Sequence, residues 1–190
     1  MQGKARRAQQ YAPPSQLPPE TLSIFTDGSA DTHKRGQPPP PAGYGVSVVQ
    51  RGEGPEHLDG EEIFTISGQI RIEQRNVTAT TNNVAELTAF AAGLRWVKTC
   101  RLAAGRPICM RYDSKYAAHI ASGAWRAKRH KALAQEAREL WTAIRKKTRG
   151  QLWMRHVKGH SGHVWNDRAD SLAEGGKGGI SLYGAPEKAD

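Results

Sequence analysis

The chain has 190 residues, which suits one domain with a well-filled core and leaves room for flexible ends. Its 28 Lys and Arg against 18 Asp and Glu give a formal net charge of +10, which favours a polyanionic partner, although basic runs also occur at solvated helix ends. Two cysteines, Cys100 and Cys109, exclude a disulfide framework and a Cys-based zinc cluster and favour a reducing compartment.

The first 20 residues are predicted to form a disordered basic tail. They carry three cations before any acidic residue, and four prolines between positions 13 and 19 prevent a helix or an inner strand. The folded region is therefore expected to run from residue 21 to residue 176. A flexible Gly-rich tail is predicted over residues 177–190.

The predicted elements begin with strands and continue as a mixture of helices and strands. Residues 22–27 alternate with a period of two and end at the turn sequence Asp27-Gly28-Ser29, and further strands are predicted over 44–49 and 63–66. From Asn82 the apolar spacing becomes that of a helix. The later elements are a strand over 108–112, helices over 114–122 and 133–144, a strand over 152–157 and a helix over 166–173. This succession predicts a mixed α/β fold with one sheet flanked by helices.

Four carboxylates lie at strand ends or on flanking helices, where α/β folds collect their sites: Asp27, Glu86, Asp113 and Asp170. Asp27 and Asp113 can lie side by side only if their strands are neighbours, which the sequence alone leaves open. If they are, the two charges either share a proton or bind cations, and a site made of oxygens selects Mg²⁺ or Mn²⁺. Taken one at a time, the acids are better explained as a turn residue, a helix N-cap and surface positions.

Four strings resemble type 1 ribonuclease H, in the family's order over residues 21–176. They are Thr26-Asp-Gly-Ser29, Thr80-Thr-Asn-Asn-Val-Ala-Glu86-Leu87, Tyr112-Asp-Ser114, and Val157-Lys-Gly-His-Ser-Gly-His163 followed by Asn166-Asp-Arg-Ala-Asp170. The resemblance implies an RNase H-like five-stranded mixed sheet, three antiparallel strands and then two parallel, flanked by helices. It also implies an endonuclease that hydrolyses the RNA strand of RNA–DNA hybrids.

The resemblance places the family's catalytic, metal-binding carboxylates on Asp27, Glu86, Asp113 and Asp170, and its mobile-loop histidine on His160. The implied mechanism uses two Mg²⁺ ions about 4 Å apart, with Mn²⁺ as a substitute. Asp27 would bridge the ions, with Glu86 and Asp113 on the side of the attacking water. Asp170 would serve the leaving group, and His160 would relay a proton or assist product release.

Contacts with the substrate are also implied. Asn82 and Glu86 would sense the RNA 2′-hydroxyl and Thr81 would hold a DNA phosphate, while helix capping explains Thr81 or Asn82 equally well. A core position likewise explains Trp125 as well as a contact with the hybrid backbone does. The other candidates for substrate contact are Gly28, Ser29, Asn83 and Lys115. Lys115 departs from the family, which usually has Gln there, and Ala79 stands where some members place Arg.

Two residues near the closing helix keep alternative interpretations. Asp167 is either an auxiliary acid near Asp170 or a neutral surface residue. His160 and His163 have the spacing HxxH, but no Cys accompanies them and their segment is Gly-rich, which disfavours zinc. His163 is predicted to stabilise its loop.

Several alternatives to a cellular hybrid nuclease stay open. They are another nuclease or transposase of the same fold, the ribonuclease domain of a reverse transcriptase or retroelement, and a non-catalytic module that binds hybrids. No apolar run approaches the roughly 20 residues of a membrane span. We therefore expect a monomeric intracellular protein that binds RNA–DNA hybrids and no membrane. The cytoplasm is the simplest location, with nucleus and organelle left open.

Overall fold

The computed structural model describes residues 11–32, 36–50, 59–72, 80–159 and 161–186, and within them one sheet is flanked by helices. The strands are β1 (Leu22–Ala30), β2 (Ala42–Gln50), β3 (Glu61–Gln69), β4 (Ile108–Tyr112), β5 (Leu152–His156) and β6 (Leu182–Gly184). The helices are α1 (Asn82–Thr99), α2 (Lys115–Ala121), α3 (Lys131–Lys147) and α4 (Val164–Lys177). In this part of the chain no helix has the length and apolarity to span a bilayer.

The strand order is β5-β4-β1-β2-β3-β6. Strands β1, β2 and β3 pair antiparallel in succession, whereas β4 is parallel to both β1 and β5. This confirms the predicted mixed sheet of three antiparallel strands followed by two parallel ones. The predicted count of five is corrected by β6, which pairs with β3 and places the ring of Tyr183 edge-on against Phe64, with the centroids 5.0 Å apart. Part of the predicted flexible tail over 177–190 is therefore a strand.

Part of the predicted N-terminal tail is also folded. Leu17 is only 5% exposed, and the ring of Tyr11 packs against Trp141 with the centroids 5.2 Å apart. The backbone N–H of Thr21 donates to the carbonyl of Pro18 at 3.0 Å. The prediction of a disordered tail over residues 1–20 is thus wrong for residues 11–20, because the side chains of Tyr11 and Leu17 pack on the domain. Residues 1–10 lie outside the described residues.

The two faces of the sheet carry different layers. Leu22 and Ile24 of β1 belong to the main hydrophobic core with α1, α2 and α3, whereas Phe25 packs with Ala169 of α4 in a smaller cluster. Successive side chains of a strand point to opposite faces, so these clusters lie on opposite sides of the sheet. Asp27 is two residues beyond Phe25 and therefore lies on the α4 side.

Candidate active site

Three carboxylates from three distant parts of the chain meet where the neighbouring inner strands β1 and β4 stop pairing. Carboxylate oxygens of Asp27, Glu86 and Asp113 all lie within 4.8 Å of one another. The pairing of Thr26 with Tyr112 is the last between the parallel strands β1 and β4, so the two following residues, both aspartates, emerge side by side. The neighbouring strands that the sequence left open are therefore present, and they create the pocket.

Glu86 reaches this pocket because α1 comes unusually close to β1. A Cβ atom added to Gly28 would lie 2.1 Å from the carbonyl carbon of Ala85 and 2.2 Å from the amide nitrogen of Glu86. Real Cβ atoms essentially never approach that closely, so only glycine fits here. The N–H of Gly28 also donates to Asp27 Oδ1 at 2.8 Å. The observed role of Gly28 is thus packing beside the acids, and its predicted contact with substrate stays a prediction.

Asp170 approaches the same pocket from α4. That helix lies against β2 through glycines, because a Cβ atom on Gly45 would lie 2.3 Å from the carbonyl oxygen of Ala169. The side chain of Asp170 lies near Asp27, where its charge helps to raise the pKa of Asp27, and it also adds negative charge near Glu86. All four predicted carboxylates therefore converge, with Asp170 beside the tight group formed by the other three.

Burial and mutual repulsion make these acids unusual. Asp27 is 7% exposed and Glu86 is 8% exposed. Burial, followed by the charge of Asp113, raises the pKa of Asp27 to about 8. Burial, followed by the charges of Asp27 and Asp113, raises the pKa of Glu86 to about 10. Without a counter-ion the group holds protons at neutral pH, and a bound cation would replace those protons.

The donor set fits a hard divalent cation. Every ligand atom that Asp27, Glu86 and Asp113 offer is a carboxylate oxygen, and neither Cys nor His is part of the group found among the described residues. Oxygen-only sites suit Mg²⁺ and Mn²⁺, whereas structural zinc sites use Cys and His. The geometry thus supports the predicted class of metal and gives no support to zinc.

The residues predicted to touch the RNA and DNA strands lie at the start of α1. Thr81 is the N-cap, since its hydroxyl accepts a hydrogen bond from the N–H of Val84 at 3.3 Å. Thr81 therefore caps α1, which is one of the two roles that the sequence left open for it. The side chains of Asn82 and Asn83 are exposed beside it, on the positive end of the helix dipole and close in sequence to Glu86.

Two more candidates lie near the end of β4. Lys115 is exposed at the first position of α2, after the N-cap Ser114. Trp125 lies between α2 and α3, is 39% exposed, and packs on His119 with the ring centroids 4.6 Å apart. The alternative that Trp125 belongs to the core is therefore wrong, because its indole lies at the surface on a histidine.

Ser29 takes part in a surface network. Its hydroxyl donates to the carboxylate of Glu174, and Lys177 bridges Glu174 and Asp31 through Nζ contacts of 2.8 Å and 2.9 Å. In this structure Ser29 thus ties β1 to the end of α4. Its predicted contact with substrate stays a prediction.

The loop between β5 and α4 borders the pocket. His160 lies outside the described residues, so its predicted role is carried forward as a prediction. The ring of His163 packs on Phe25 with the centroids 5.1 Å apart, which fits the predicted role in holding the loop. Asp167 is exposed in the first turn of α4, as the surface alternative expects.

Sequence reasoning missed two neighbours of Asp113. A Cβ atom on Gly159 would lie 2.9 Å from Asp113 Oδ2, so the bare backbone of Gly159 makes room for that carboxylate. Nε2 of His156 lies 3.2 Å from the backbone carbonyl oxygen of Asp113. Gly159 stood inside the Val157–His163 string and its position next to His160 was a usable signal, whereas nothing in the sequence singled out His156.

Comparisons with known proteins agree with this geometry. The model of the RNase H family matches residues 19–177. The chain is 30% identical to the ribonuclease H of Aromatoleum aromaticum over 175 residues, which is 87% of this chain and 96% of that protein. It is 32% identical to the ribonuclease H of Herminiimonas arsenicoxydans over 166 residues, covering 83% and 94%. Its structure resembles the N-terminal RNase H domain of rv2228c from Mycobacterium tuberculosis, with a TM-score of 0.57, 26% identity, and coverage of 83% of this chain and 94% of that one.

Proposed function

The chain belongs to the RNase H family, and we propose that it hydrolyses the RNA strand of RNA–DNA hybrids with divalent metal ions held by Asp27, Glu86, Asp113 and Asp170. The observation that carries this proposal is the group of three carboxylates, two of them buried, within 4.8 Å of one another, with the fourth close enough to raise the pKa of Asp27. A group that repels itself so strongly is stabilised by cations. Its retention disfavours a module that only binds hybrids.

Each acid has a proposed part. Two Mg²⁺ ions, which Mn²⁺ can replace, would supply charge neutralisation on the attacking and leaving oxygens of the phosphodiester. Asp27 is close to both Asp113 and Asp170 and is the acid proposed to serve both ions. Glu86 and Asp113 orient the attacking water, and Asp170 on α4 serves the side of the leaving group. The protein's own contribution is to hold these groups in place before substrate arrives.

The start of α1 is the proposed site of hybrid recognition. Thr81, Asn82 and Asn83 are exposed there, and the free N–H groups of a helix start attract phosphate. Asn82 and Glu86 would accept from or donate to the RNA 2′-hydroxyl, a group that DNA lacks. Lys115 and Trp125 would contact the backbone farther along, with Trp125 offering a partly exposed ring. Gly28 and Ser29 would border the scissile phosphate beside Asp27.

His160 is proposed to relay a proton on the side of the leaving group or to assist product release. An imidazole with a pKa near 6.5 exchanges protons readily at neutral pH. The support from the structure is the position of its neighbour Gly159, whose backbone lies against Asp113.

The organisation of the whole chain follows from these assignments. One catalytic domain would include the folded residues 11–20 and β6 as well as the region that matches the family. We propose that it acts as a monomer on hybrids inside the cell, most simply in the cytoplasm.

Cleavage of four labelled substrates, three duplexes and one single strand, tests the proposal. RNA–DNA, RNA–RNA, DNA–DNA and single-stranded RNA are incubated with Mg²⁺, with Mn²⁺ and with a chelator. The expected result is cleavage of the RNA strand of RNA–DNA alone, abolished by the chelator. Cleavage of DNA–DNA would favour another nuclease of this fold, and no cleavage of any substrate would favour a binding module.

A further inference from the structure

Strand β5 is the outermost strand on its side of the sheet, and within the described residues no further strand pairs with the outer side of its backbone. The N–H of Val157 donates to the carbonyl of Tyr112 at 2.8 Å, and the N–H of Ile108 donates to the carbonyl of Gln151 at 2.9 Å. The backbone N–H and C=O groups of the odd-numbered residues in β5 therefore point towards β4. Those of Leu152 and Met154 point away from β4. Such an open edge is a template for pairing with another chain unless something covers it.

Two contacts cover this edge. The N–H of Met154 donates to the backbone carbonyl of Tyr11 at 2.9 Å. Nη1 of Arg145, near the end of α3, donates to the carbonyl of Leu152 at 3.0 Å and to that of Gly150 at 3.1 Å. One outward donor and one outward acceptor of β5 are thereby satisfied by residues from two other parts of the chain.

The two covering residues also hold each other. The guanidinium carbon of Arg145 lies 4.9 Å from the centroid of the Tyr11 ring, a cation–π arrangement. The same ring meets the buried Trp141 edge-on at 5.2 Å. Tyr11 is therefore fixed by its backbone on β5, by its ring face on Arg145 and by its ring edge on α3.

We propose that Tyr11 and Arg145 form a clasp that closes the free edge of β5 and makes residues 11–20 a working part of the domain. The family match begins at residue 19, so the tyrosine side of the clasp lies outside it. Strand β5 leads directly into the loop that carries Gly159 against Asp113. The clasp thus secures the strand from which that part of the active site departs.

Hydrogen exchange of the Met154 amide in the full chain tests the clasp. Tyr11→Ala should accelerate exchange at Met154 at least about tenfold and lower the Tm by roughly 3–6 °C, while hybrid cleavage at 25 °C stays unchanged. Tyr11→Phe keeps the ring and should behave like the native chain, as should Lys147→Ala, which removes an exposed cation from the same helix end. Arg145→Ala should also accelerate exchange at Met154, although it leaves Tyr11 in place.

A double-mutant cycle measures whether Tyr11 and Arg145 stabilise the domain together. The double variant Tyr11→Ala with Arg145→Ala should lose less in Tm than the sum of the two single losses, since each single change already breaks the clasp. Native exchange at Met154 in Tyr11→Ala, or strictly additive losses, would overturn the proposal. If Tyr11→Ala does not fold, Tyr11→Leu, which keeps apolar bulk but no ring, takes its place with the same expected acceleration, and native exchange there would equally overturn the proposal.

Discussion

Gly28 lies so close to Glu86 that a Cβ atom on the glycine would be 2.2 Å from the amide nitrogen of the glutamate. This contact brings the start of α1 onto the end of β1 and thereby places the carboxylate of Glu86 beside that of Asp27. The geometry of the carboxylate group therefore depends on the absence of a side chain at position 28 as much as on the acids themselves.

Replacing Gly28 with Ala should separate α1 from β1. We expect a loss of more than about 2 kcal/mol in the free energy of unfolding, together with a large fall in kcat, because Glu86 and Asp27 move apart. Denaturant unfolding and single-turnover cleavage of a hybrid measure both effects. Gly184→Ala is the matched control, because nothing lies within 4 Å of a Cβ atom there. Native stability of Gly28→Ala would contradict the close packing.

The stability of the metal-free protein should fall as pH rises. The folded state keeps protons on Asp27 up to a pKa of about 8 and on Glu86 up to about 10, whereas the unfolded chain releases them near its ordinary values of 3.8 and 4.5. Between these limits the folded state binds more protons, so stability is full at low pH and is lost as pH rises through the folded values. Tm measured from pH 5 to pH 9 in a chelator should decrease, and Mg²⁺ should reverse the decrease.

Asp27→Asn identifies the source of that pH dependence. The variant should show a smaller fall in Tm with pH and no hybrid cleavage, since it lacks the charge that repels Glu86 and that would hold the metal. Asp167→Asn removes an exposed acid nearby and should keep the native pH dependence. An unchanged slope in Asp27→Asn, or activity retained with Mg²⁺, would count against the assignment.

A methyl group at position 159 should disturb Asp113 without unfolding the domain. The Cβ atom of Gly159→Ala would lie 2.9 Å from Asp113 Oδ2, and the carboxylate can rotate away at little cost to the fold. We expect kcat to fall roughly ten- to a hundredfold with a Tm close to the native value. A matching fall in Tm would show that Gly159 supports the fold rather than the position of Asp113.

Thr81 has a capping role that can be separated from its proposed contact with a DNA phosphate. Thr81→Ala should cost about 1 kcal/mol of stability and raise KM. Thr81→Asp keeps a good N-cap but places a negative charge where phosphate would bind, so it should retain stability while raising KM further. A native KM in Thr81→Asp would remove the phosphate contact and leave capping as the whole role.

The sequence alone predicts much of the fold, because most of its strands and helices show a local periodicity of apolar residues. The alternation of residues 22–27 located the start of β1, and the helical spacing after Asn82 located α1. The turn expected at Asp27-Gly28-Ser29 is wrong, because these residues continue β1 and pair with β2. Strand β6 and the folded residues 11–20 escaped prediction for the opposite reason. A three-residue strand and a tyrosine just before the prolines carry no periodic signal. Long-range contacts order them: β6 pairs with β3 and packs on Phe64, and Tyr11 contacts Trp141, Arg145 and the backbone of Met154.

The candidate site also has features that the sequence predicts and features that it does not. The carboxylates were found from motif strings, but their meeting required β1 and β4 to be neighbours, which is a property of topology. The packing role of Gly28 and the space that Gly159 leaves for Asp113 are distances between backbones and side chains far apart in sequence. No local pattern encodes such distances, whereas the N-cap at Thr81 is local and was anticipated.

Anomalous diffraction from crystals soaked in Mn²⁺ shows whether the four carboxylates bind metal ions. We expect two peaks in the pocket, one ion bound by Asp27, Glu86 and Asp113 and a second bound by Asp27 and Asp170, and neither peak in crystals of Asp27→Asn. A pocket without any manganese at a concentration that supports cleavage, or ions bound only elsewhere on the surface, would contradict this expectation.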